Sequence, residues 1–132
     1  FDLITAKLYN HIDEKWRLWL QSLTNSTWSH PTEFQIASYN VWFRSVHERK
    51  RMDAIAKELS SCDNLMFIGF QELTDSLTDH LINHIKEDYR FFVPADDHVR
   101  HRVGLAVRKD IPILESNFLP FQNTYRERGL LY

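Results

Sequence analysis

The chain opens with apolar residues at helical spacing and then turns polar. Between Ile4 and Leu23 the apolar positions recur every three or four residues, with charged and amide side chains opposite them. This periodicity predicts an amphipathic helix over residues 1–24. We expect it to pack on its own domain, with partner binding as the less favoured alternative, and a polar linker to follow over residues 25–33.

Strand and helix patterns alternate after this linker. The segment Phe34–Val41 predicts a strand, and the continuous apolar run Leu65–Phe70 is typical of a strand buried on both faces. A helix is predicted between them, where Ser45 and Glu48 have the spacing of a capping box. Its predicted buried face consists of Met52, Ile55, Ala56 and Leu59.

A third helix and three further strands follow. Thr74 or Ser76 can cap the helix, whose apolar positions begin at Leu77. Strands are predicted for Tyr89–Val93, Arg102–Arg108 and Ile111–Leu119. A βαβ unit that leads into antiparallel strands predicts an α/β layered domain with a mixed sheet.

Composition and charge narrow the function classes. The 132 residues are 43% hydrophobic and 26% charged, which indicates one globular domain. A net charge of −2 provides no global basic field for coating nucleic acid, although Arg49–Arg51 and the pair Arg126 and Arg128 are locally basic.

No apolar run approaches the length of a membrane span. The single cysteine, Cys62, is compatible with a reducing compartment, and we expect an intracellular protein, nuclear or cytoplasmic.

Two polar residues lie at the ends of predicted strands. Asn40 is near the end of the first, and Glu72 directly follows the apolar run. The carboxyl ends of parallel strands meet at one edge of a sheet, so these side chains should emerge side by side. A carboxylate beside an amide suits a hard cation such as Mg²⁺. On local grounds an acidic residue after a strand is more often an ordinary residue at a helix start, and both interpretations of Glu72 stay open.

Several segments resemble, in order, the motifs of the endonuclease/exonuclease/phosphatase superfamily. They are Ser38–Phe43, Leu65–Thr74, Val103–Lys109 with Ile111–Ile113, and Leu119–Leu131. The resemblance extends from Phe34 to Tyr132 and is closest to the branch that is like type 2 tyrosyl-DNA phosphodiesterase.

The resemblance implies a fold, a reaction and roles for three residues. The fold would be the first half of a four-layer α/β sandwich, with helices outside a mixed β-sheet and the amphipathic helix preceding it. The reaction would be Mg²⁺-dependent phosphodiester hydrolysis, with Mn²⁺ as a possible substitute, acting on DNA in DNA repair. Asn40 would orient a catalytic group or phosphate, Glu72 would hold the metal, and Arg128 would lie near the substrate phosphate.

The chain departs from the family pattern in two places. Trp42 occupies a position where many members have Asp, and the later motifs with the catalytic His and Asp residues are absent. We therefore expect residues 34–132 to be the N-terminal half of the domain, truncated at its C-terminus and inactive by itself. The uncovered sheet face, near Ile36, Phe67, Leu105 and Leu130, should make the isolated chain self-associate. Alternatives are a non-catalytic binding remnant and a phospholipid or inositol-phosphate hydrolase of the same superfamily.

Other candidate residues carry weaker signals. His80 and His84 have a spacing that can bind zinc, but no third ligand stands at a recognisable distance, so a solvated helix face is favoured. His98 and His101 are expected in an exposed polar loop, and Cys62 has no partner that would activate its thiol.

Overall fold

The computed structural model describes residues 2–7, 32–94, 102–122 and 129–131, the first range by its backbone only. Five strands form the main sheet: β1 (Asp2–Lys7), β2 (Glu33–Asn40), β3 (Leu65–Leu73), β4 (Tyr89–Phe92) and β5 (Arg102–Arg108). Two helices are described, α1 (Glu48–Ser60) and α2 (Asp75–Ile85). A separate two-stranded sheet pairs β6 (Phe118–Pro120) with β7 (Gly129–Leu131).

The main sheet is mixed and has the strand order β1-β2-β3-β5-β4. Its β2 and β3 are parallel and are connected through α1, whereas the other neighbouring pairs are antiparallel. The predicted α/β architecture, a βαβ unit followed by antiparallel strands, is therefore confirmed. The described part of the chain contains no helix with the length and apolarity needed to cross a membrane.

Both described helices pack on one face of this sheet. The core there includes Met52 of α1, Leu77 and Leu81 of α2, and Ile68 and Phe70 of β3, each nearly or fully inaccessible to solvent. Burying a side chain of this size stabilises the fold by ~1.5–3 kcal/mol. All four residues predicted for the inner face of α1 are buried. Thr74 caps α2 as predicted, because its Oγ1 accepts from the Leu77 N–H at 3.3 Å.

The opposite face of the sheet carries a smaller apolar cluster. Met66, Val107 and Ile111 are buried there, and the Phe34 and Phe67 rings meet edge to face with centroids 5.9 Å apart. Phe67 and Leu105 belong to this cluster as expected, but Leu130 lies on β7 in the separate sheet. Self-association through this face stays a prediction.

Only the first residues of the segment predicted as an N-terminal helix are described. Residues 4–7 lie in β1, which pairs antiparallel with β2 at the edge of the sheet, with Ile4 opposite Ile36. Pairing with a strand some thirty residues away satisfies the backbone there, and helical periodicity contains no information about such a partner. The rest of the predicted helix, residues 8–24, and most of the linker lie outside the described residues.

Two sequence predictions need correction. The segment predicted as strand Ile111–Leu119 is irregular until Phe118, in keeping with Pro112, which has no N–H to donate to a ladder. The capping box does not form: His47 is the N-cap of α1 in a left-handed conformation, without a side-chain cap. The carboxylate of Glu48 instead accepts from the Ser76 hydroxyl of α2, a tertiary contact that replaces the local one.

Candidate functional site

The ends of β2 and β3 bring Asn40 and Glu72 together. Asn40 lies opposite Gln71 in the parallel register, and the Val41 N–H donates to the Gln71 carbonyl at 3.0 Å. The Asn40 amide Nδ2 then donates to Glu72 Oε1 at 3.1 Å. The prediction that these two residues lie side by side where the two strands end is therefore confirmed.

An irregularity in β3 directs Glu72 into this position. The register between β3 and β5 shifts between Phe70 and Leu73, although both residues belong to the core on the helix side. Residues three apart in a regular strand would lie on opposite faces. The backbone of Glu72 is left-handed, with φ 60°, and this conformation accommodates the shift in register. Irregularities of this kind are frequent next to active sites, where they change the direction of a side chain.

Backbone donors hold both side chains in one orientation. The Trp42 N–H donates to Asn40 Oδ1 at 2.9 Å, so the amide must present its Nδ2 to Glu72. The second carboxylate oxygen, Glu72 Oε2, accepts from the Phe43 N–H at 3.4 Å. Each carboxylate oxygen retains acceptor capacity, since a carboxylate offers about four lone-pair positions.

Arg51 of α1 fixes the loop that follows β2. Its Nη1 donates to the Val41 carbonyl at 3.0 Å and to the Trp42 carbonyl at 2.9 Å, and its Nη2 donates to the Arg44 carbonyl. Its guanidinium also lies 4.9 Å from the centroid of the Trp42 ring. In the sequence Arg51 stands out only as part of the locally basic run Arg49–Arg51. Its role is tertiary and has no local sequence signal.

The donor set fits part of a magnesium site. Glu72 supplies one partly accessible carboxylate, and Mg²⁺ is commonly held by one or two carboxylates together with waters and substrate phosphate. Asn40 contacts the carboxylate through its amide Nδ2 and accepts from the Trp42 N–H through its Oδ1. Within the described ranges, no three His, Cys, Asp or Glu side chains form a group that could hold a metal.

The other sequence candidates are not brought to this site. Arg128, His98 and His101 lie outside the described residues. His84 Nε2 lies 2.9 Å from Asp53 Oδ1, and His80 Nε2 lies 3.8 Å from Glu48 Oε1, so both histidines face acidic groups of α1 rather than solvent alone. Cys62 is partly buried, with its thiol 3.4 Å from the Glu58 carbonyl.

A cleft of about 430 Å³ opens at the end of β3 that is far from Glu72. Tyr89 lines it and donates to the Leu65 carbonyl at 2.8 Å, and burial raises the pKa of its hydroxyl. Arg108 and Asp110 form a two-point ion pair at 2.7 and 2.9 Å, and this hydrogen bonding lowers the pKa of Asp110. These groups are paired with one another, which indicates a structural role.

Comparison with known proteins identifies similar solved structures. No protein-family model matches the chain, and no curated protein matches it. A structure of humanized D. rerio TDP2 with 14 mutations is similar with a TM-score of 0.66 and 26% identity, covering 74% of this chain and 40% of that one. D. rerio TDP2 in complex with a single-strand DNA product has a TM-score of 0.62 and 24% identity, covering 74% and 38%. TDP2 from C. elegans has a TM-score of 0.68 and 17% identity, covering 92% and 37%.

The chain thus has the fold of the N-terminal part of TDP2, a fold of the endonuclease/exonuclease/phosphatase superfamily. It spans about 40% of the length of these structures. The resemblance found in the sequence is confirmed.

Proposed function

We propose that this chain contributes the metal-binding edge of a Mg²⁺-dependent phosphodiester hydrolase that acts on DNA in its full-length form. The observation that carries the proposal is the contact of Asn40 with Glu72, at 3.1 Å, where two parallel strands end. Similarity to TDP2, including a structure with single-strand DNA product, supports phosphodiester chemistry on DNA.

The chain's own residues would prepare the site for a cation and a phosphate. Glu72 would bind Mg²⁺, or Mn²⁺ in its place, through acceptor positions that Asn40 and the Phe43 N–H leave free. Bound metal would supply Lewis-acid stabilisation of charge on the phosphoryl oxygens. Asn40 would keep the carboxylate aimed at the crevice, and Arg128 would lie near the phosphate, as the family resemblance implies.

Metal binding tests this proposal directly. Titration of the chain with Mn²⁺, followed by calorimetry or by electron paramagnetic resonance, should show one site that weakens at least about tenfold in Glu72→Gln, since charge is lost while shape is kept. Glu115→Gln removes an exposed carboxylate outside the candidate site and should leave the affinity unchanged. Equal Mn²⁺ affinity in wild type and Glu72→Gln would refute the assignment.

Hydrolysis provides a second measurement. The 132-residue chain by itself should not cleave a phosphodiester measurably, because a missing general base and water-positioning carboxylates cost several orders of magnitude. In a longer form that contains the family's later motifs, Mg²⁺-dependent cleavage should appear and Glu72→Gln should abolish it. Robust turnover by the chain alone would show that the catalytic groups have been misplaced. Absence of turnover in the longer form would favour a binding role.

A further inference from the structure

An exposed tryptophan stands beside the candidate site. Trp42 is 48% exposed, and it lies between Asn40 and Phe43, both of which donate to the Glu72 carboxylate. A cleft of about 280 Å³ opens next to it, lined also by Asn40, Arg51 and Glu58. A large aromatic ring is thus available to solvent where the candidate metal site opens.

Neighbouring groups hold the backbone of Trp42, and Arg51 contacts its ring. The Trp42 backbone has φ 57°, a left-handed conformation that is an outlier for a bulky residue. It is maintained by the bond from the Trp42 N–H to Asn40 and by the bond from Arg51 to the Trp42 carbonyl. Strained residues persist only where the surroundings determine them, and they concentrate at binding sites. The indole is therefore a pre-positioned group rather than an incidental surface side chain.

The charge around Trp42 indicates what the ring would contact. Residues 41–51 contain four basic residues and one acidic residue, in a chain of net charge −2. Arg44 lies 5.3 Å from the centroid of the Phe43 ring, while Arg49 and Lys50 are exposed. Aromatic rings within a basic surface are the combination by which proteins bind single-stranded nucleic acid, the rings stacking on bases and the cations tracking phosphates.

We propose that Trp42 stacks on an unpaired nucleobase next to the phosphodiester held at Glu72. Stacking requires an accessible base face, which a base inside a duplex does not offer. The inference rests on the proposed function only for the position of the phosphodiester. Arg51 acts as a positioning residue, through its contacts with the Trp42 carbonyl and ring.

Binding of matched oligonucleotides tests the stacking. The probes are a fluorescent oligothymidylate and a strand of the same length in which every nucleotide is abasic, which has the same charge. Fluorescence anisotropy should show the intact strand binding about tenfold more tightly, the range expected for one stacked base. Trp42→Asn should abolish that preference, since Asn removes the ring yet tolerates a positive φ. Trp42→Phe, which keeps a ring, should retain most of it.

Controls separate stacking from folding and from charge. Phe121 has the same 48% exposure as Trp42, and Phe121→Ala should leave the preference unchanged. Thermal melting verifies that each variant is folded, and the salt dependence of binding should be the same in all, because phosphate contacts are untouched. Equal affinity of the wild type for both strands, or a preference that survives in Trp42→Asn, would overturn the proposal. So would Trp42-dependent binding to anionic lipid vesicles that exceeds binding to the strand.

The two proposals fail separately. Loss of base preference with an intact Glu72-dependent Mn²⁺ site would reject stacking and leave the hydrolase proposal standing. Base preference without any Glu72-dependent Mn²⁺ site would support stacking and reject the metal-dependent function.

Discussion

The Asn40 amide donates to the Glu72 carboxylate at 3.1 Å across 32 residues of sequence. The amide group is not free to rotate by 180° and exchange its oxygen and nitrogen, because its oxygen already accepts from the Trp42 N–H. Glu72 therefore has a permanent donor on one side of its carboxylate, and its remaining acceptor positions can face the crevice. A change of charge at either side chain should therefore change the stability of the fold.

Asn40→Asp should make stability depend on pH and on metal. It places two carboxylates in contact, which raises the pKa of one of them above its unfolded value of ~4. The folded state then binds more protons than the unfolded state, so the variant should lose about 1 kcal/mol relative to wild type as pH rises from ~4 to ~7. Added Mg²⁺ should restore stability at neutral pH. Thermal unfolding with and without Mg²⁺ measures both effects, and Asn117→Asp is the exposed control.

The variant Glu72→Gly should be more stable than the variant Glu72→Ala. Both substitutions remove the same hydrogen bonds, but only alanine retains the cost of a left-handed backbone at φ 60°, about 1 kcal/mol. Urea unfolding of the two variants gives the difference. Lys57, an exposed residue within α1, should show the reverse order, alanine being favoured by about 1 kcal/mol. The same order at both positions would contradict the backbone assignment.

Arg51→Lys should loosen the loop after β2. An ammonium cannot reproduce a planar fork that reaches the carbonyls of Val41, Trp42 and Arg44. We expect a loss of about 1–3 kcal/mol in unfolding free energy and faster amide hydrogen exchange at Trp42 and Phe43. Arg49→Lys, on an exposed position of the same helix, should change stability by less than about 0.5 kcal/mol.

Two strand glycines should respond differently to a methyl group. A Cβ at Gly104 would lie 2.5 Å from Leu73 Cδ1 and 3.0 Å from Phe91 Cζ, inside a packed core. Gly104→Ala should therefore cost about 1–3 kcal/mol in thermal or urea unfolding. At Gly69 the nearest atom would be 3.7 Å away, an ordinary contact. Gly69→Ala should be neutral or stabilising by up to about 1 kcal/mol, and an equal loss at both positions would contradict this packing.

The sequence alone determined the elements whose partners are near in the chain. The βαβ unit, the Thr74 cap and the inner face of α1 follow from apolar spacing and capping residues, which record local burial. The adjacency of Asn40 and Glu72 also followed, because a parallel crossover forces both strand ends to one edge.

Tertiary structure alone decided the features that depend on distant partners. Residues at helical spacing form β1 because β2 supplies a ladder, and Glu48 contacts Ser76 instead of its own helix end. The exposed ring of Trp42 is held by a helix residue whose sequence context indicates only a solvated charge. Periodicity encodes which side of an element is buried, whereas these contacts depend on which elements meet, and local spacing does not contain that information.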